Sequence, residues 1–215
     1  MIILYKIAYI ILSYLLGSIL FSEIFVRLFR RQSLFIISPN HNPGASNAFK
    51  YGGVFCGIAS VIGDVGKGML PVFFYSRLFG INDMGIAMVM AAVALGHAFP
   101  IFFHFHGGMC IAVSFGALLG LWPMYYPLLF LIILYLAGLA VHRHGNSLIT
   151  IFVFSCLSIM SLFLLTIHLI DFSTTLGLFA ISIIVCVRIW PDVDETEQEQ
   201  VHDFVNKLRS NDGAD

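Results

Sequence analysis

Asn42-Pro43-Gly44-Ala45-Ser46-Asn47 stands between two apolar runs, residues 2–28 and 52–79. Each run exceeds the about 20 residues an α-helix needs to cross a hydrocarbon core. A second segment of the same character, Gly96-His97-Ala98-Phe99-Pro100, closes a third run at 84–103 and leads to Phe105-His106-Gly107-Gly108. Lipid cannot satisfy exposed backbone N–H and C=O groups. Irregular backbone at a membrane is therefore buried in protein or lines a wet cavity. The two segments thus mark both an architecture of membrane-spanning helices and the place to look for function.

Composition agrees. The 215 residues are 59% hydrophobic and 11% charged, with a mean hydropathy of +0.93. Soluble domains carry roughly 25% charged residues. The expected fold is all-α and integral to the membrane, with residues 1–190 as one polytopic domain and 191–215 as a cytoplasmic tail. The tail holds eight acids against two bases, which leaves four acids and nine bases in the membrane part. Val201, Phe204, Val205 and Leu208 recur there at helical spacing, so a short amphipathic helix fits the tail. The first apolar run is longer than a signal-peptide core and has no small-residue cleavage site after it, so it reads as a retained helix. Cys56, Cys110, Cys156 and Cys186 lie far apart in apolar sequence with no metal-ligand spacing, and read as small buried hydrophobes.

About seven spans are expected. The first three are the runs above. Pro123 and Pro127 divide 109–141 into a short fourth, partly buried in protein, and a fifth; 147–169 and 174–190 supply the last two. Arg27, Arg30, Arg31 and Lys50 follow the first span and mark that side as cytoplasmic. The N-terminus then lies outside. His104–Gly108, Arg143 and Arg188 with the C-terminus lie inside, while Lys6 and Arg77 are left outside. Both Gly-rich segments fall at the cytoplasmic face.

Three places there can carry chemistry. In the first, Gly44 allows a tight turn and close backbone approach. Asn42, Ser46 and Asn47 supply neutral donors and acceptors, and Lys50 a positive charge. Backbone donors beside a cation suit a phosphate, and the same residues also suit an ordinary turn. In the second, Asp64 and Lys67 share a helix face at i, i+3 inside an apolar run. They read either as an ion pair joining helices or as groups beside a cavity. In the third, His97 closes a span as a hydrogen-bonder to substrate or to structure. Gly107-Gly108 opens a helix whose free amides and dipole favour an anion. His104 and His106 flank that pair without the carboxylate or thiolate partners that a metal site needs.

These residues resemble the acyl-phosphate-dependent glycerol-3-phosphate acyltransferases, the PlsY family. Gly17-Ser18 matches the family's Gly-Ser in helix one. Pro39 to Asn47 followed by Lys50 takes the place of G-S-G-N-x-G-A-T-N and its arginine. Asp64-Val65-Gly66-Lys67-Gly68 matches Asp-x-x-Lys-Gly. Gly96 to Gly108 matches G-H-x-F-P and the start of F-x-G-G-K-G. The likeness runs in order through residues 14–120 and implies seven helices with a cytoplasmic-face active site. It implies transfer of a fatty acyl group from acyl phosphate to the 1-hydroxyl of glycerol 3-phosphate, without metal or other cofactor. On this reading Asn40 and His97 are the catalytic candidates. His41, Asn42, Gly44, Ser46, Asn47, Lys50, Asp64, Lys67, Gly107 and Gly108 are the substrate-binding candidates.

The chain departs from the family pattern at several positions. Asn40 stands where the family has serine, and Pro39 and His41 replace its flanking glycines. Lys50 replaces an arginine and loses its bidentate fork. Met109 and Cys110 replace the lysine and glycine after the glycine pair. Arg188-Ile189-Trp190-Pro191 and the acidic tail stand in place of a His-x-x-Asn-Ile-x-Arg segment. The expected partners are acyl phosphate, glycerol 3-phosphate or related small substrates, and membrane lipid; nucleic acid is not one, and the oligomeric state is open. Two further readings stay open: a catalytically impaired relative that binds an acyl ligand or regulates a partner, and an acyltransferase with another acceptor.

Overall fold

The computed structural model describes residues 1–141 and 147–211, with side chains described through residue 191 apart from Val141. Every regular element among them is helical. In order they are α1 (Ile2–Gly17), α2 (Phe21–Arg30), α3 (Leu34–Ile37), α4 (Ala45–Asn47), α5 (Val54–Phe79), α6 (Gly85–Ala98), α7 (Ile111–Leu119), α8 (Tyr126–Val141), α9 (Ser147–Thr166) and α10 (Phe172–Asn211). A π-turn at Ala48–Gly52 and a 3-10 turn at Ile101–Phe103 fill two of the connections.

Among the described residues, five helical stretches are by themselves long and apolar enough to cross a membrane. These are Ile2–Arg30, Val54–Phe79, Gly85–Phe103, Ser147–Thr166 and Phe172–Pro191. The expected fourth and fifth are helical but shorter: α7 has 9 residues and α8 has 16. At 1.5 Å per residue they reach only about 14 and 24 Å, against a hydrocarbon core of about 30 Å. As expected from Pro123 and Pro127, the two are separate, with α7 ending at Leu119 and Pro127 in the first turn of α8. Val113, Ser114, Gly116, Ala117 and Leu118 of α7 are buried, so α7 faces protein.

The first span is not one rod. The helix stops at Gly17 and restarts at Phe21, with Leu20 extended between them. Arg143, expected inside, lies outside the described residues. The last helix does not stop at Trp190; its backbone runs through Pro191 to Asn211.

Glycines set how closely the helices approach. A Cβ on Gly96 of α6 would meet the backbone of Tyr14, Gly17 and Ser18, and one on Gly116 of α7 would meet the Val65 backbone of α5. With little hydrophobic drive between helices in lipid, such small-residue contacts carry association through close packing. The core beneath is apolar and includes Val72, Tyr75, Met90, Val113, Phe154, Leu157 and Ile181. Ile3, Leu4, Ile11, Leu12, Phe55, Ile62, Ile133, Phe152 and Ile183 face outward, as a lipid-facing surface requires.

Both ends of the bundle are stitched by polar contacts. At one, Lys6 pairs with Asp83, which also accepts from the Tyr75 hydroxyl at 2.7 Å and the Gly85 N–H at 2.9 Å. There Ser173 Oγ donates to Ile81 O at 3.2 Å. At the other, Arg188 Nη2 donates to Gly107 O at 2.7 Å and Tyr14 Oη to Phe99 O at 2.8 Å. The second end carries the Gly-rich segments.

Candidate active site

The site begins at the break between α1 and α2. Interrupting the helix frees the Ile19 carbonyl, which needs a partner in a membrane interior. Lys67 Nζ provides it at 2.5 Å, from about 20 Å along α5. The same ammonium pairs with Asp64 Oδ1 at 2.7 Å and meets His97 Nδ1 at 2.8 Å. All three residues are at most 3% exposed. The expected Asp64–Lys67 pair therefore forms, and His97 joins it. Charges so deep in protein persist only as a compensated group.

The Asn42–Asn47 turn is held from several directions. Ser22 of α2 donates to Pro43 O. Asn47 Nδ2 donates to Asn42 O and to Asn40 Oδ1, each at 2.8 Å. Asn40 is exposed and works as a brace of this turn. Glu23, which the sequence reading passed over, is fully buried. It accepts from the Leu34 N–H at 2.8 Å and Ser33 Oγ at 2.6 Å, and pairs with Arg27. A lone acid in an apolar span was the available signal.

The turn, Asp64, His97 and α7 line one cavity of about 410 Å³. Its polar side comprises Asn42, Gly44, Ser46, Asp64 and His97. Its apolar side comprises Val61, Val65, Met109, Ile111, Phe115 and Tyr135. Asn42 is 8% exposed, and its Oδ1 is buried without a hydrogen-bond partner. A buried polar atom left unpaired costs roughly 1–3 kcal/mol, so this one marks a place for a ligand donor.

Other candidates lie elsewhere. His41 lines a second cavity of about 680 Å³ with Arg27, Phe35, Phe102, Phe103, His104 and His106. Its Nδ1 bonds Phe35 O at 2.6 Å. Lys50 is exposed, stands over the Tyr51 ring and lines neither cavity. The expected Gly107-Gly108 amide cradle is corrected in part. The Gly108 N–H is taken by His97 O at 3.1 Å, because Cys110 and not Gly108 directly precedes α7. Gly108 instead gives room for the imidazole, since a Cβ there would overlap the His97 ring. Arg188 brings a guanidinium to this segment through Gly107 O, a convergence the sequence did not reveal. Among the described residues no three His, Cys, Asp or Glu side chains converge as a metal site would need.

A family model described as glycerol-3-phosphate acyltransferase matches residues 7–196. The chain belongs to the glycerol-3-phosphate acyltransferase family. Among curated members it is 42% identical over 113 residues to one from Pseudomonas paraeruginosa, covering 53% of this chain and 59% of that one. It is 40% identical over 120 residues to one from Actinobacillus succinogenes, covering 54% and 56%. The chain thus spans a little over half the length of the curated relatives it matches. Two crystal structures of PlsY (YgiH), an integral membrane glycerol 3-phosphate acyltransferase, share the fold. The glycerol 3-phosphate form aligns with a TM-score of 0.79 at 24% identity, over 91% of this chain and 93% of that one. The lysophosphatidic acid form aligns with 0.77 at 23%. The acyltransferase family fold therefore extends well past the stretch where sequence identity is high.

Proposed function

We propose that the protein is a membrane acyltransferase that moves a fatty acyl group from acyl phosphate to glycerol 3-phosphate, giving lysophosphatidic acid for phospholipid synthesis. Family membership supports the reaction class. The observation that carries it to this chain is the 410 Å³ cavity, polar at the Asn42–Ser46 turn and His97, apolar along α5, α7 and Tyr135. A phosphorylated acyl group has that same division. The acceptor hydroxyl attacks the acyl carbonyl. A new ester bond forms, the carbon–oxygen bond to phosphate breaks, and inorganic phosphate leaves with the hydroxyl proton. Asn42, Gly44, Ser46 and His97 hold the reacting groups, and fixed donors stabilise charge developing on oxygen. Asp64 and Lys67 support His97 from behind, Asn40 and Asn47 keep the turn, and His41 faces the neighbouring cavity.

We place seven segments in the membrane, counting α7 and α8, with the N-terminus outside and the C-terminus cytoplasmic. Arg27, Arg30, Arg31 and Lys50 favour this orientation. Residues 191–215 form an acidic cytoplasmic tail. The bacterial sources of the relatives support a bacterial cell membrane. Met109 in place of a lysine favours weakened phosphate binding.

The test supplies purified protein with acyl phosphate and glycerol 3-phosphate and measures lysophosphatidic acid together with released phosphate. Equal amounts of both are expected. Acyl-ligand binding without turnover would overturn the enzyme and favour a non-catalytic acyl-binding member.

A further inference from the structure

The Lys67 ammonium has three N–H groups. Three acceptors stand around it: Ile19 O at 2.5 Å, Asp64 Oδ1 at 2.7 Å and His97 Nδ1 at 2.8 Å. The Asp64 contact is ionic, without an aligned hydrogen bond. Two proton arrangements fit these distances. In one, Lys67 is charged and donates to His97 Nδ1. In the other, a neutral lysine accepts a proton-bearing Nδ1. The Asp64 carboxylate decides between them. It is 1% exposed, and Lys67 is the one lysine or arginine within 4.0 Å of it among the described residues. A neutral lysine would leave a buried negative charge uncompensated.

With Nδ1 occupied as an acceptor, the neutral imidazole carries its proton on Nε2. That edge lies over Gly108, where a Cβ would overlap it. Nε2 has no hydrogen-bond partner among the described residues, and the ring lines the 410 Å³ cavity beside Asn42. We infer that Lys67 is a positioning residue: it locks His97 in the Nε2–H tautomer, so that the imidazole offers the cavity a hydrogen-bond donor and no proton-accepting lone pair. This deepens the proposed function and rests on it for the ligand, an oxygen of a phosphoryl group or of an acyl carbonyl. His97 then stabilises that oxygen and does not abstract the acceptor proton.

The test is ¹⁵N-histidine NMR on the full chain in detergent, with the His97 signal identified by its loss in His97→Gln. Two-bond nitrogen–proton correlations separate the tautomers. The wild type is expected to show a protonated Nε2 and a bare Nδ1 at His97. A protonated Nδ1 in the wild type overturns the inference. In Lys67→Met, Nδ1 faces Asp64 Oδ1, 3.8 Å away, and the Nδ1–H tautomer is expected to grow. An unchanged tautomer means Lys67 does not set it. Should the lone carboxylate prevent folding, the double variant Asp64→Asn/Lys67→Met removes both charges and is expected to give a mixture of tautomers. In acyl transfer, His97→Gln, whose amide still donates, is expected to keep at least tenfold more kcat than His97→Ala; equal losses overturn the donor role. The tautomer is read without turnover. An inactive wild type therefore sinks the proposed function alone, and a wrong tautomer sinks this inference alone.

Discussion

At the scale of single residues, the site combines contacts that the sequence announces with others that it hides. Asp64 and Lys67 were legible because i, i+3 spacing puts them on one helix face. Their third partner was not, since nothing in the chain says that α6 brings His97 Nδ1 to the same ammonium. Met109 is the departure with the clearest consequence. It lines the cavity with His97 and Asn42, where the family pattern has a lysine. A charge-assisted hydrogen bond contributes about 1.5–3 kcal/mol, roughly ten- to a hundredfold in affinity. Met109→Lys is therefore expected to lower KM for glycerol 3-phosphate by about tenfold or more. Steady-state kinetics on wild type and variant side by side decide it; an unchanged KM means that another group already supplies the charge. Arg188 of α10 reaches the same segment, donating to Gly107 O.

At the scale of elements, apolar run length located the helices, whereas their breaks came from tertiary contacts. The first run reads as one span of 2–28, yet it stops at Gly17, and the Ile19 carbonyl freed by the break accepts from Lys67 Nζ. The last helix passes Pro191 although a proline removes one donor and crowds the carbonyl four residues before it. Glycine positions were visible in the sequence, but their partners were not. Gly116 faces the Val65 backbone, whereas Gly66 has nothing within 4 Å of a built Cβ. Gly116→Ala is expected to cost about 1–3 kcal/mol by overpacking, and to reduce activity because Val65 adjoins Asp64. Gly66→Ala is expected to stabilise by about 0.4–1 kcal/mol through helix propensity and unfolded-state entropy. Thermal unfolding in detergent compares the two, and equal shifts would refute the close approach. The joint of α1 to the α5–α6 connection carries a pH signature. The hydrogen bond from Lys6 holds the Asp83 carboxyl below its ordinary range; those from Tyr75 and Gly85 add to this, and partial burial opposes it. A lowered value means that the joint adds stability above the ordinary carboxylate pKa and loses it as pH falls through the folded-state value. The stability gap between wild type and Asp83→Asn is thus expected to be full well above the ordinary carboxylate pKa of about 3.9 and to close as pH falls below it. A gap independent of pH would show that the ion pair contributes nothing.

At the scale of the whole molecule, two stitched ends define an axis. Lys6, Asp83, Ile81 and Ser173 gather at one end, and Tyr14, Phe99, Gly107 and Arg188 at the other. The charge rule predicts such a division from sequence, because bases cluster on one side of the first span. It could not read whether α7 and α8 cross, since both fall short of a hydrocarbon core. Topology does not depend on the answer. In the proposed topology, two crossings or one re-entrant hairpin both return the chain to the side it left, so α1 begins on the side opposite to Arg188. Labelling of single cysteines in intact cells tests this, in a background with Cys56, Cys110, Cys156 and Cys186 replaced. Asn82 and His168 are exposed in the connections at the Lys6–Asp83 end, and His106 is exposed at the other. Asn82→Cys and His168→Cys are expected to react with a membrane-impermeant thiol reagent added outside, and His106→Cys only after the cells are opened. Labelling of His106→Cys from outside would invert the orientation and put the cavity out of reach of the proposed donor, a cytoplasmic acyl phosphate. Opposite behaviour of Asn82→Cys and His168→Cys would contradict the hydrogen bond from Ser173 to Ile81 that joins their connections, and with it the helix arrangement on which the site depends.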